Sequence, residues 1–294
     1  MNKMFGTNIE TRFTPGPNAN ESLNTIMVAN GVNRPSPTDI FIGSNQHGAL
    51  IHKNKLGQVA DWHALLPGRI KADSQEADGM AVRLYTAVPG GIVYNTQRAP
   101  YPPTRLTDLL KPEWKGKIAS TPYASGFDLL SSTDVWGEEK TLDFARKLSD
   151  QIAGLMRCNE LERIASGEFV AYAMDCVGRD WAELAARGAP IKHVIPSDFG
   201  AVRFNYTTVP QNAAHPNAAK LFVTYLHTPE GQKLVWKHVN SDLHTYTDGE
   251  MGKVVAEFEK SGGKFYFFTI DWYIKHPEAR EGLRKVVKIL TAGR

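Results

Sequence analysis

Apolar runs and apolar positions at helical spacing divide the chain into short strands and amphipathic helices. Asn8 to Phe13 alternates apolar and polar side chains, as a half-buried strand does, and ends at Pro15-Gly16-Pro17. Asn20 or Ser22 can cap a helix through Leu23, Ile26, Met27 and Ala29, with Asn30-Gly31 as its stop. Thr38 to Asn45 reads as an apolar strand entering a Gly-Ser-Asn turn, and residues 46–68 as short helices and turns in which Trp62 packs. Ala81 to Tyr85 and Ile92 to Asn95 are strands, the second opened by Gly90-Gly91. Pro100, Pro102 and Pro103 then forbid helix and ladder alike, so the chain there is extended or turning.

Thr104 to Leu110 predicts a short helix closed by Pro112, and Ile118 to Thr121 a strand. Helix, strand and helix follow over Thr141 to Ile152, Ala153 to Cys158 and Glu160 to Ser166. The continuous apolar run Phe169 to Met174 suits a strand buried on both faces of a sheet. Asp180 to Arg187 is helical up to Gly188, Ile191 to Ile195 is a strand ending at Pro196, and Arg203 to Val209 is a strong strand. Two helices begin at Pro216 and Pro229, with Thr228 as the cap of the second. A helix near Lys253 to Lys260, an aromatic run Phe265 to Ile270 and a helix from Pro277 to Leu290 complete the pattern.

Strands alternating with helices over 294 residues predict an α/β protein with more than one core. The stretch Gly90 to Lys117 reads as the chain leaving one lobe for another, and Arg203 to Val209 as its return. The first lobe is thereby discontinuous, residues 1–95 plus 204–294, with 96–203 as the second. At 42% hydrophobic and 22% charged residues, the composition excludes disordered and fibrous classes. The formal charge of +3 is spread along the chain, so there is no electrostatic footprint for nucleic acid or an anionic membrane. No stretch approaches the roughly 20 apolar residues of a membrane span.

Chemistry is sparse in the pattern. Cys158 and Cys176 have neither a metal-ligand spacing nor a nucleophile signature, and read as small buried residues or as one disulfide. There is no nucleophile elbow, no zinc-protease motif and no nucleotide fingerprint, so no catalytic residue, metal ligand or cofactor is expected. Strand ends are where ligands gather in an open α/β sheet. Ser44 and Asn45 stand at one such end, as ligand contacts or as a plain turn. Tyr123, Ser125 and Gly126 form a small hydroxyl-bearing loop before a helix, able to offer backbone N–H groups. Asp175 ends the buried run Phe169 to Met174, either as a helix cap or as a ligand contact. Tyr94 and Arg203 lie on the two crossing strands.

Several pieces, taken in order, resemble the extracellular solute-binding proteins of ABC importers, in the branch that contains ferric-iron and related small-solute binders. They are Gly91-Ile92-Val93-Tyr94-Asn95, Leu109 to Lys117, Ser166-Gly167-Glu168, Gly188-Ala189-Pro190 with Pro196, His215 to Lys220 and Thr228 to Gln232. The resemblance implies a type II periplasmic-binding fold of two lobes joined by two strands, hinged about a cleft that holds Ser44, Asn45, Tyr94, Tyr123, Ser125, Gly126, Asp175 and Arg203. It implies a small-molecule solute and a membrane permease as partners, and a periplasmic location. Iron-binding members use adjacent tyrosines, and the matching positions here are Cys176 and Val177. A polar or anionic organic solute is therefore expected rather than bare iron, with Asp175 favouring an amine or hydroxyl and Arg203 a carboxylate, phosphonate or sulfonate. The resemblance also leads to the expectation that Met1 is an internal start of a longer, exported protein. An enzyme on the same scaffold, or a ferric-ion binder, is the competing reading.

Overall fold

The computed structural model describes residues 1–13, 18–121, 126–176 and 180–292. Among these, ten strands form: β1 Phe41–Ser44, β2 Gln75–Glu76, β3 Ala81–Ala87, β4 Ile92–Asn95, β5 Ile118–Ser120, β6 Ile152–Leu155, β7 Ala171–Ala173, β8 Ile191–Val194, β9 Gly200–Thr208 and β10 Phe265–Phe268. They make two mixed sheets, one ordered β1-β9-β3-β2 with β10 also on β9, the other β6-β5-β7-β4-β8. In the second sheet β5 runs parallel to β6 and β7, whereas β4 is antiparallel to β7 and β8. The run around Phe169 to Met174 thus supplies the central strand, and Ala171, Tyr172 and Ala173 are fully buried, as a strand covered on both faces requires.

The chain folds into two compact units. One comprises Met1–Thr86, Phe204–Lys253 and Thr269–Ile274, the other Ala87–Arg203, Val254–Phe268 and Lys275–Arg294. In the first unit, Trp62, Ile70, Val82, Val209, Ala219 and Val223 pack one core, and Leu84, Tyr225, Leu226 and Val235 another. The antiparallel pairing of β1 with the second half of β9 belongs to this unit, from Phe41 opposite Thr208 to Ser44 opposite Asn205. In the second unit, Val93, Ala119, Ile164, Phe169, Tyr172 and Ile191 are core, and β10 pairs in parallel with the first half of β9.

One predicted strand and the division between the two units depart from expectation. Asn8 to Phe13 forms no strand. Alternation becomes a strand only where a partner supplies the ladder, and here the Asn2 side chain occupies the local backbone instead, accepting from the Ile9 N–H at 3.0 Å and donating to the Ile9 carbonyl at 2.9 Å. Residues 87–95 with β4 and 254–268 with β10, expected in the first lobe, fall in the second unit, and so does the C-terminal helix Glu278–Thr291. That helix buries Ala279, Gly282, Val286 and Leu290 and packs against the helices Phe127–Leu130 and Gly137–Gln151. Smaller shifts concern caps: the first long helix, Ala19–Gly31, starts at Asn18, whose side chain accepts from the Glu21 N–H at 2.9 Å.

Candidate functional site

In the second unit, the end of β7 turns sharply. Met174 has φ +63, a left-handed conformation uncommon for a bulky residue and of the kind held at ligand clamps. Asp175 follows, 3% exposed, and its backbone is fixed on both sides of the peptide. The Gly90 N–H donates to the Asp175 carbonyl at 2.8 Å, and the Asp175 N–H donates to the Gly91 carbonyl at 2.9 Å. His193 of β8 backs the carboxylate, its Nε2 3.8 Å from Asp175 Oδ2, and its ring lies stacked on Trp181 at 5.4 Å. A Cβ on Gly91 would collide with His193 Nε2, so glycine there is what lets the imidazole approach.

Gly126 belongs to the same neighbourhood. Its φ of +105 suits glycine alone, and a Cβ would stand 3.3 Å from the Gly90 Cα and from the Met174 methyl. The helix that it precedes, Phe127–Leu130, is one turn long, and its first turn carries Asp128. Arg203 is bound to that residue: Nη2 lies 3.0 and 2.9 Å from the two carboxylate oxygens, with the side chains 14% and 5% exposed. Arg203 is therefore paired with a carboxylate of its own unit. Tyr94 lies in β4, 6% exposed, and burial raises its phenol pKa, so it is a core residue of the sheet. Tyr123 and Ser125 lie outside the described residues.

Cys176, immediately after Asp175, is joined to Cys158 in a disulfide. The position that resembled a tyrosine ligand thus carries no titratable thiol. Cys176 Sγ also lies 3.1 Å from the Tyr172 hydroxyl, and Thr121, at the end of β5, is 3.9 Å away.

In the first unit, Ser44 and Asn45 play unlike parts. Ser44 is committed to its helix, Asn45–Asn54: its N–H donates to His47 Nδ1 at 3.1 Å, which leaves the ring hydrogen on Nε2, donated to Asn20 Oδ1 at 3.1 Å. Burial lowers the His47 pKa and keeps that ring neutral. Asn45 is 1% exposed and its Oδ1 accepts from the Gln46 N–H at 3.1 Å, while Nδ2 is buried with no hydrogen-bond partner among the described residues. A buried amide donor with nothing to donate to is costly, and its natural complement is a ligand acceptor.

Asp128 and His193 escaped the sequence reading. An ion pair between residues 75 positions apart leaves no local trace. His193 had a weak signal, falling beside Lys192 inside the predicted strand Ile191 to Ile195.

Solved structures of the same fold include the apo ferric ion-binding protein A of Pasteurella haemolytica, with 17% identity, TM-score 0.76 and coverage of 100% of this chain and 93% of that one. The periplasmic binding protein AfuA of Actinobacillus pleuropneumoniae, with exogenous fructose-6-phosphate bound, matches at 19% identity and TM-score 0.74 over 99% and 93%. The spermidine/putrescine ABC transporter substrate-binding protein PotD of Streptococcus pneumoniae matches at 16% identity and TM-score 0.70 over 98% and 94%. At such identities the likeness is one of fold, that of the two-lobed type II periplasmic binding proteins. An uncharacterised protein of Haemophilus influenzae is 28% identical over 161 residues, which span 52% of this chain and 46%, under half, of that protein. Residues 36–246 match the bacterial extracellular solute-binding proteins, and the chain belongs to that family.

Proposed function

We propose that the chain is the solute-capturing component of an ABC importer, working in the periplasm, and that it hands a small polar organic solute to a membrane permease without transforming it. The observation that carries the chemistry is the Asp175 carboxylate, 3% exposed in a strained turn at the carboxyl end of the central β7. Buried carboxylates are retained where they are hydrogen-bonded or paired, and one backed by an imidazole at a strand end suits a hydroxyl or ammonium donor of a solute. With Arg203 held by Asp128, the solute's contact in this unit is a donor group rather than a bare carboxylate. In the first unit, Asn45 Nδ2 offers a donor of its own.

Thermal-shift measurements with putrescine, spermidine, fructose 6-phosphate, simple carboxylates, phosphonates, sulfonates and ferric citrate test this reading. A binder is stabilised by about 2.7 kcal/mol at a hundredfold excess over Kd, and the compound is recovered intact. Asp175→Ala weakens its affinity at least tenfold, about 1.4 kcal/mol, with the apo melting temperature nearly unchanged. A response to ferric citrate alone would overturn the organic-solute reading, and chemical consumption of the stabilising compound would overturn the binding-protein reading.

A further inference from the structure

We infer that the Cys158–Cys176 disulfide is a positioning brace for Asp175, setting the fraction of molecules in which the carboxylate is presented in its binding geometry; the inference rests on the reading of Asp175 as a solute contact. A left-handed conformation at a residue such as Met174 persists only where its surroundings over-determine it. Part of that determination comes from the paired backbone bonds of Asp175 with Gly90 and Gly91. The rest comes from the next residue, Cys176, tied covalently to Cys158 beyond β6, with a sequence separation of 18. The Tyr172 hydroxyl at 3.1 Å holds the same sulfur from within β7, so the crosslink reaches past β5, which lies between β6 and β7 in the sheet. Without it, only the two backbone bonds with Gly90 and Gly91 hold Asp175, and the turn can relax away from Met174's strained conformation. Binding affinity falls in proportion to the fraction of molecules that keep the competent geometry.

Amide hydrogen exchange tests this on the full chain, comparing oxidised protein with the Cys158→Ser/Cys176→Ser variant. Wild type reduced by a trialkylphosphine serves as the second preparation; there the disulfide takes two electrons and two protons to give two thiols, while the phosphine becomes its oxide with water supplying the oxygen and the protons. Exchange at the Gly90 and Asp175 amides is expected to rise at least tenfold, with Val93 of β4 and Ala119 of β5 unchanged. Unchanged protection at Gly90 and Asp175, or an equal loss throughout the second unit, would overturn the brace. Affinity is then read with putrescine and fructose 6-phosphate in a cycle with Asp175→Asn. Loss of the disulfide should weaken binding at least tenfold in wild type and by less than threefold in the Asp175→Asn background, and equal losses in the two backgrounds would overturn the brace. If Asp175→Asn leaves both affinities unchanged, the reading of Asp175 as a solute contact fails, and the exchange arm still decides whether the crosslink orders the turn.

Discussion

His227 is buried completely, and desolvation, with the nearby Arg69 charge adding to it, drives its pKa down to about 3. Its Nδ1 shares a 2.8 Å hydrogen bond with the Tyr246 hydroxyl. His244 is lowered to about 4, again chiefly by desolvation, with Arg83 next, and packs against Phe204. Both groups are depressed relative to an unfolded value near 6.5, so above that pH neither contributes to the pH dependence of stability. Below it the unfolded chain binds protons that the folded chain refuses, and stability falls as pH drops from about 6.5 toward 4 and then 3. Each tenfold gap between folded and unfolded proton affinity is worth about 1.4 kcal/mol, so the two together account for several kcal/mol of acid lability. Urea titrations from pH 7.5 to 3.5 should show this slope. His227→Gln, which cannot titrate, should flatten it while lowering stability at pH 7.5. An unchanged slope in the variant would remove His227 from the acid response.

The elements of the first unit are locked by Glu76. Its Oε1 accepts from Arg83 Nε at 2.6 Å and from the Tyr206 hydroxyl at 3.0 Å, and its Oε2 accepts from the Ile270 N–H at 2.6 Å. One carboxylate thereby joins β2, β3, β9 and the start of the helix Ile270–Lys275. Desolvation raises the Tyr206 pKa strongly, and the Glu76 charge adds to it, so the phenol remains a donor at every ordinary pH. The Glu76 and Arg83 side chains are only 7% and 12% exposed, so removing the acid leaves a buried guanidinium uncompensated. Glu76→Ala should cost about 3–5 kcal/mol in urea unfolding; a loss below about 1 kcal/mol would mean that water replaces the carboxylate. The strands joined here were legible because β3 and β9 are apolar runs of strand length. Glu76 itself was not, since β2 is only two residues long and a charge there has no periodicity to betray it. The site divides in the same way. Asp175 stood out because a carboxylate ended a buried run, whereas Arg203 looked free until folding placed Asp128 against it.

At the scale of the whole chain, assigning the C-terminal helix to a unit was beyond the sequence for a physical reason. The amphipathic period of Glu278–Thr291 says that one face must be covered and not by which partner. The partner proves to be the helix pair of the second unit, where Gly282 passes so close to Ser131 that a Cβ would meet its side chain, and Lys285 Nζ lies 2.8 Å from Glu138 Oε1. That exposed ion pair contributes little by itself; the stabilisation comes from the buried apolar face, at about 1.5–3 kcal/mol for each large side chain such as Leu290 or Val286. Ending the chain at His276 should therefore strip protection from amides of Gly137–Gln151 and Phe127–Leu130 in hydrogen exchange. The helix Pro216–Leu226 of the first unit, whose core is built from Trp62, Val82 and Val223, should keep its protection. Earlier loss in Pro216–Leu226 than in Gly137–Gln151 would place the terminal helix with the wrong unit. The milder variant Leu290→Ala should show the same ordering at smaller amplitude, because it removes part of the apolar cover and leaves the chain whole.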